Sequence, residues 1–282
     1  MKNIVVVPCW RRAEFLSVTL DYLKEANNAA NHLYLFCVDR GHNPEVPQVI
    51  NQFPLEKMVR IAPFNRYKGN SFNVLGGYKH AMSLCSKYNS ELIYLVEEDI
   101  FCGKDFFTFH EKVQQQHGCQ GFFVSAVKNQ NCPHPPPASS PKSSVFCHNT
   151  YQSLGVSWRP CNLQSVMQYA CPEYYGNMLR LLLKVFPRSK YRTGCPEQDG
   201  LINRVMERDK KRGLFPYVPR AYHAGFWGYN RKGQALVGPL QERINKIRSM
   251  SDEEMNKRAF MHKDIQRCSL EDYGVDNFQL IP

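Results

Sequence analysis

Three consecutive carboxylates, Glu97, Glu98 and Asp99, follow an apolar run, Leu92 to Val96, in the stretch ELIYLVEEDIFCGKDFF. Like charges crowded this closely repel one another. A hard divalent cation with oxygen ligands would relieve that repulsion, and an acidic turn is the plainer alternative. A second acidic group, Glu197 and Asp199 in CPEQDG, precedes the helix-forming run LINRVMERDKK. Carboxylates at a helix start gain about 0.3–1 kcal/mol from the helix dipole, which is one reason to find them there. The chemical reading of the pair is a general base held at a helix start. Asp39 ends another apolar run, Leu33 to Val38. His223 follows a short apolar segment, Tyr217 to Pro219, and stands among glycines and aromatics in RAYHAGFWGYNR, which makes it a candidate metal ligand. Arg12 lies in a basic turn after Pro8, while Arg66 and Lys68 precede a helix expected from about Ser71. A helix amino end flanked by cations is a ready phosphate site.

These residues need a scaffold, and the apolar patterning supplies one. Ile4 to Val7, Leu33 to Val38, Val59 to Ala62, Leu92 to Val96 and Gly121 to Val127 read as strands, the uninterrupted runs fitting a mainly parallel sheet buried on both faces. Pro8 is expected to stop the first strand. Helices are expected from Glu14, with Phe15, Val18, Tyr22 and Ala26 on one face, and over Lys104 to Gln116. A further helix is expected from Pro172 to a stop at Pro187, with Met178, Leu179, Leu182, Val185 and Phe186 in the core. Ser153 to Arg159 reads as a strand or edge. In open α/β sheets, ligands collect at the carboxyl ends of strands, which is where Pro8, Asp39, the acidic triplet and His223 would stand. Gly76-Gly77 reads as close helix packing. No GxGxxG or GxxxxGK[ST] loop occurs, which argues against a dinucleotide-binding or P-loop enzyme.

Length and composition narrow the class. The 282 residues suffice for one large α/β domain with a tail, and no apolar run approaches a membrane span or a signal-peptide core. A soluble, cytoplasmic protein without a membrane or an obligate protein partner is expected. The 11 cysteines are scattered, several inside apolar segments, which fits a reducing compartment. Cys132, His134, Cys147, His148, Cys161 and Cys171 invite a zinc reading, but their spacings form no paired C-x₂-C set. The segment from Asn129 to Ser144 holds five prolines and reads as a lid or a plain connection. A net charge of +11 favours polyanionic partners, DNA among them, or is a solubility device. The C-terminal segment has Leu240, Ile244 and Ile247 on one helix face and Ser251 with Glu254 as a capping box.

In this order, the strand leading to PCWRR, the strand ending in Asp39, GNSFNVLGGYKHA, LVEEDIFCGKDFF, EQD and YHAGFWG resemble the GT-A family of nucleotide-sugar glycosyltransferases. The acidic motif is similar to that of the N-acetylglucosaminyltransferase I branch, and a soluble basic chain also resembles the enzymes that glycosylate hydroxymethylated pyrimidines in DNA. The resemblance implies a GT-A catalytic domain over 1–232, with a nucleotide-sugar half (1–127) and an acceptor half (128–232) carrying the Pro-rich loop 129–144. Residues 233–282 would form a helical tail. It implies Asp99 as ligand of Mn²⁺ or Mg²⁺, with His223 a second ligand. The nucleotide-sugar donor, a UDP-sugar, would meet Pro8, Arg12, Asp39, Arg66, Lys68, Glu97, Glu98 and Trp227. Asp199 would be the base of an inverting transfer. A glycan, protein or small-molecule acceptor, a sugar nucleotidyltransferase and a non-catalytic nucleic-acid-binding protein are the competing readings.

Overall fold

The computed structural model describes residues 1–62, 69–127, 141–191, 194–228, 231–258 and 270–281. Arg66, Lys68 and most of the Pro-rich loop lie outside the described residues. The first half alternates strand and helix: β1 (Asn3–Cys9), α1 (Ala13–Glu25), β2 (His32–Val38), α2 (Glu45–Gln52), β3 (Lys57–Ile61), α3 (Asn70–Tyr88) and β4 (Ile93–Leu95). Then come β5 (Ile100–Cys102), α4 (Phe106–His117), β6 (Val124–Ser125), β7 (Ser144–His148), β8 (Val156–Trp158), α5 (Pro160–Met167), α6 (Pro172–Gly176), α7 (Met178–Val185) and α8 (Gln198–Arg208). The chain finishes with β9 (Gly213–Pro216), β10 (Ala221–His223), β11 (Trp227–Gly228), β12 (Arg231–Lys232), α9 (Leu240–Ser249), α10 (Asp252–Arg258) and β13 (Gln279–Ile281).

Among the described residues, nine strands form one sheet in the order β3-β2-β1-β4-β8-β6-β9-β7-β13. The β3-β2-β1-β4 half is wholly parallel, and β8 and β7 bring the antiparallel pairings. The mixed α/β class with a mainly parallel sheet flanked by helices, expected from the apolar runs, is what forms. Strand alternation sends successive residues to opposite faces. On β1, Ile4 and Val6 join Val74 and Tyr78 of α3, Leu163 of α5 and Leu201 and Val205 of α8 in one core. Val5 and Val7 pack instead with Leu16 and Leu20 of α1, Val49 of α2 and Phe106 of α4. Gly77 lets α3 approach: a Cβ there would lie 2.7 Å from Val6 and 2.8 Å from the Cys37 sulfur.

Several expectations need correction. Pro8 does not stop β1, which runs on to Cys9 with Pro8 opposite Cys37. The β4 ladder reaches only Val6, so the missing N–H of Pro8 falls beyond that pairing. The Pro172 helix breaks at Asn177, whose side chain accepts from the backbone N–H of Arg180 and caps α7. Leu182 and Phe186 are core, but Leu179 is exposed. The strand placed at Tyr217–Pro219 lies earlier, as β9, and its residues Leu214 and Phe215 are fully buried.

The tail is helical over α9 and α10 and then returns as a strand, β13 pairing in parallel with β7 at the sheet edge. The Ser251 hydroxyl accepts from the Glu254 backbone N–H at 3.1 Å, as the capping-box pattern required. Helix α9 is tied to α1 by charge: Arg243 donates to Glu14 at 2.7 Å and also to Glu45, with the Glu14 carboxylate fully buried.

Candidate active site

The acidic triplet occupies the turn between β4 and β5, at the carboxyl edge of the parallel half-sheet. Its three members meet different surroundings. Glu98 is buried, and both oxygens are taken: Arg12 Nε donates to one and the Trp10 backbone N–H to the other, each at 2.8 Å. The carbonyl of Glu98 accepts from the Thr19 hydroxyl at 2.9 Å, anchoring the turn to α1. Glu98 thus fixes the Cys9–Arg12 turn from the end of the neighbouring parallel strand, at the same sheet edge.

Asp99 is fully buried. Its Oδ2 accepts from His223 Nε2 at 2.8 Å and from Arg12 Nη1, which also donates to the Trp227 carbonyl at 3.1 Å. Burial alone pushes the Asp99 carboxyl up, but the charges of Arg12 and His223 reverse this and hold it well below the usual carboxylate range. The same contacts hold Arg12 above its ordinary value despite the cost of burying it. His223 reaches Asp99 because β10 runs antiparallel to β5, with His223 opposite Ile100. Gly225 completes the packing. A Cβ there would overlap Asp99 Oδ2 and lie 2.8 Å from Arg12 Nη1, so the chain after β10 crosses this ion cluster only as glycine.

Glu97 faces the other way, toward α8. Burial, joined by the charges of Asp99 and Asp199, pushes its carboxyl up to about 8. Asp199 stands in the first turn of α8, and its Oδ2 accepts from the Ser153 hydroxyl at 3.5 Å. Burial, with the Glu197 charge second, pushes Asp199 up to about 7. The helix start is itself fixed: the Ser71 hydroxyl at the beginning of α3 donates to Gln198 Oε1 at 2.7 Å and accepts from the Gln198 backbone N–H at 3.0 Å. Asn203, one turn on, brackets both backbone groups of Tyr151 and donates to the Asp199 carbonyl at 2.9 Å. A carboxylate titrating near neutrality in a rigid frame suits proton abstraction from an alcohol.

Asp39 is buried at the end of β2, where the Arg40 backbone N–H donates to it at 2.8 Å. Burial raises its pKa, opposed by the backbone N–H groups of Arg40 and Gly69. Gly69 opens α3, so Asp39 and the phosphate-suited helix start are neighbours. Trp227 is half-buried and its indole N–H donates to Glu14 at 3.1 Å, which links it to the Arg243 ion pair of the tail. Pro8 is buried within β1. The structure therefore gathers Arg12, Glu97, Glu98, Asp99, Asp199, His223 and Trp227 around one sheet edge. Ser71, Ser153, Gln198, Asn203 and Gly225 belong to the same assembly, although single polar residues in loops and helix starts carry no pattern that singles them out.

A metal can be tested against this donor set. Among the described residues, no group of three or more His, Cys, Asp or Glu is placed to cage an ion. Asp99 Oδ1 and Glu97 Oε1, however, are buried without a hydrogen-bond partner. One or two carboxylate oxygens are what Mg²⁺ takes from a protein when phosphate oxygens and water complete its shell. The residues fit a cation shared with a bound diphosphate.

No family model and no curated protein matches the chain. Among solved structures it is similar to residues 1–349 of S. aureus TarS, at 11% identity and a TM-score of 0.46, over 77% of this chain and 57% of that one. It is also similar to a Pyrobaculum calidifontis mannosyltransferase in complex with GDP-Man and Mn²⁺, at 13% identity and a TM-score of 0.41, over 60% of this chain and 46% of that one. A third likeness is a cytidylyltransferase from Leptospira borgpetersenii, at 9% identity and a TM-score of 0.37, over 65% of this chain and 72% of that one. The chain thus spans about half the length of the first two of these structures. At such identities and scores the likenesses carry nothing about the chemistry of the site.

Proposed function

We propose that the protein is a nucleotide-sugar glycosyltransferase of GT-A type that transfers a sugar, with inversion, from a UDP-sugar to an acceptor hydroxyl. The observation that carries this is the pairing of two unlike carboxylates at one sheet edge. Asp99 is kept ionised by Arg12 and His223, while Asp199 is raised to about 7 and held by Ser153. Separating pKa values in this way supports the two roles: one carboxylate stays charged and the other exchanges a proton near neutral pH.

Asp199 takes the proton of the acceptor hydroxyl as its oxygen attacks the anomeric carbon. The bond from that carbon to the nucleoside diphosphate breaks, and the electron pair leaves with the diphosphate. A general base of this kind contributes about 10²–10⁴ in rate. Asp99, through Oδ1, and Glu97 would hold Mn²⁺ or Mg²⁺ against the diphosphate, where the cation offsets the charge of the leaving group. His223, expected as a second metal ligand, has its Nε2 committed to Asp99 Oδ2 and with Arg12 orients that carboxylate, and Glu98 holds Arg12. Asp39 faces the nucleobase or ribose, Trp227 contributes to the donor site through its carbonyl on Arg12, and Arg66 and Lys68 supply cations for the phosphates. For the acceptor we propose a hydroxymethylated pyrimidine in DNA, supported by the net charge of +11.

Screening nucleotide sugars for turnover with Mn²⁺, with and without hydroxymethylated DNA, tests the proposal. Turnover that is lost in Asp199→Asn, with an inverted product, is expected. A retained anomeric configuration, or near-normal turnover by Asp199→Asn, would sink the mechanism. DNA binding with no donor turnover under any condition would favour a non-catalytic binding protein.

A further inference from the structure

A second set of charges lies at the opposite end of the sheet. Trp158 pairs with Ile93 at the amino end of β4, so Arg159 stands about five strand positions, roughly 16 Å, from the level of Glu97. The parallel pairing of Val124 with Leu214 brings Arg212, just before β9, to the same end. Two adjoining clefts open there. One, of about 360 Å³, is lined by Arg159, Lys210, Lys211 and Arg212 and by the first turn of α5. The other, of about 330 Å³, shares the last three cations and adds Lys190.

Lys190, Lys210, Lys211 and Arg212 are all exposed. The nearby acids are engaged with other groups. Glu207 accepts from the Ser189 hydroxyl and the Lys190 backbone N–H, and Asp209 is paired with Arg208. Lys210 holds a left-handed backbone, φ +51°, just beyond the end of α8. Glycine or asparagine takes that conformation with less strain, so a lysine there keeps a cation between the two clefts at a conformational cost. The amino end of α5, in the wall of the first cleft, adds its dipole to the same field.

We propose that these twin clefts dock the phosphodiester backbone of nucleic acid, each taking a backbone segment and the shared Lys210-Lys211-Arg212 cations bridging them. A single small anion would need one cleft; two that share Lys210, Lys211 and Arg212 suit a chain of regularly repeated negative charge. Contact through phosphates alone carries no sequence preference, so unmodified oligonucleotides of any sequence serve as probes.

The test is fluorescence anisotropy with a labelled, unmodified single-stranded oligonucleotide and no sugar donor, over a salt series. With four phosphate contacts, the log of the association constant should fall with log salt at a slope of about −3. Lys210→Asn/Lys211→Gln/Arg212→Gln, in which asparagine tolerates the left-handed position, should make that slope shallower by about 2. Lys190→Gln alone should do so by about 0.7, which keeps the test decisive should the triple variant fail to fold. Absence of wild-type binding at low salt would overturn the proposal, as would slopes unchanged in the variants. An equal loss from Lys24→Gln/Arg248→Gln, placed on α1 and α9, would also overturn it by showing a diffuse charge effect. Because neither donor nor modified base is present, failure here leaves the proposed glycosyl transfer standing, and the converse also holds.

Discussion

Replacing Asp199 by asparagine should make the protein more stable and nearly inactive at once. The carboxyl is raised from its ordinary 3.8 to about 7, chiefly by burial and then by the Glu197 charge. A raised carboxylate pKa means that the folded state resists the charged form. Below pH 4 the group is protonated whether the chain is folded or not, and the penalty is absent. Between 4 and 7 the unfolded chain releases the proton while the folded one retains it, so stability falls as pH rises. Above 7 the full penalty applies, at most on the order of 4 kcal/mol for a gap of about three pH units. Asparagine fills the same space without the charge and keeps a carbonyl oxygen for the Ser153 hydroxyl. Thermal unfolding of both proteins at pH 4 and pH 8, in chelator and without donor, measures the difference. A clear rise in Tm for Asp199→Asn at pH 8, and little change at pH 4, is the expected result. Turnover at pH 8 should drop by about 10²–10⁴, and wild-type turnover should itself decline as the pH passes below 7. An Asp199→Asn protein with an unchanged or lower Tm at pH 8 would refute the electrostatic account of the site. Retained turnover would refute the role of base.

Two further outcomes follow from the same geometry. Gly225→Ala should lose about 1–3 kcal/mol, seen as a lower denaturation midpoint, because the new methyl group overlaps the Asp99 carboxylate and crowds Arg12; wild-type stability would show that the backbone after β10 can move aside. His110, fully buried with Nδ1 against the Ser157 hydroxyl at 2.8 Å, is pushed down to about 3 by burial. The unfolded chain therefore binds a proton that the folded one refuses from pH 6.5 downward, stability declines over that range, and His110→Gln should flatten the decline in acid unfolding titrations. Parallel acid titrations of the two proteins would count against it.

The first half of the molecule was open to reading from local pattern alone. Short continuous apolar runs between turn residues fit strands, and α1 and α3 carry helical spacing on the segments between them, so the carboxyl-edge position of Asp39, Glu97, Glu98 and Asp99 follows from order along the chain. The second half was less legible because its strands are two to five residues long and pair in both directions across large separations. Neither β7 nor β13 contains a pattern that names its partner, and the Pro172 segment gave no sign that Asn177 would split it.

What the sequence determined by itself was which residue types stand at strand ends and helix starts, since those depend on neighbours within a turn or a strand. The tertiary structure alone decided how the three adjacent acids differ. Glu98 closes on Arg12 and Trp10 and Asp99 on Arg12 and His223, while Glu97 turns to the side of Ser153 and Asp199. Those partners stand 56 to 124 residues away along the chain. Identical carboxylates acquire opposite pKa shifts because charge and burial act through space, where sequence distance has no meaning.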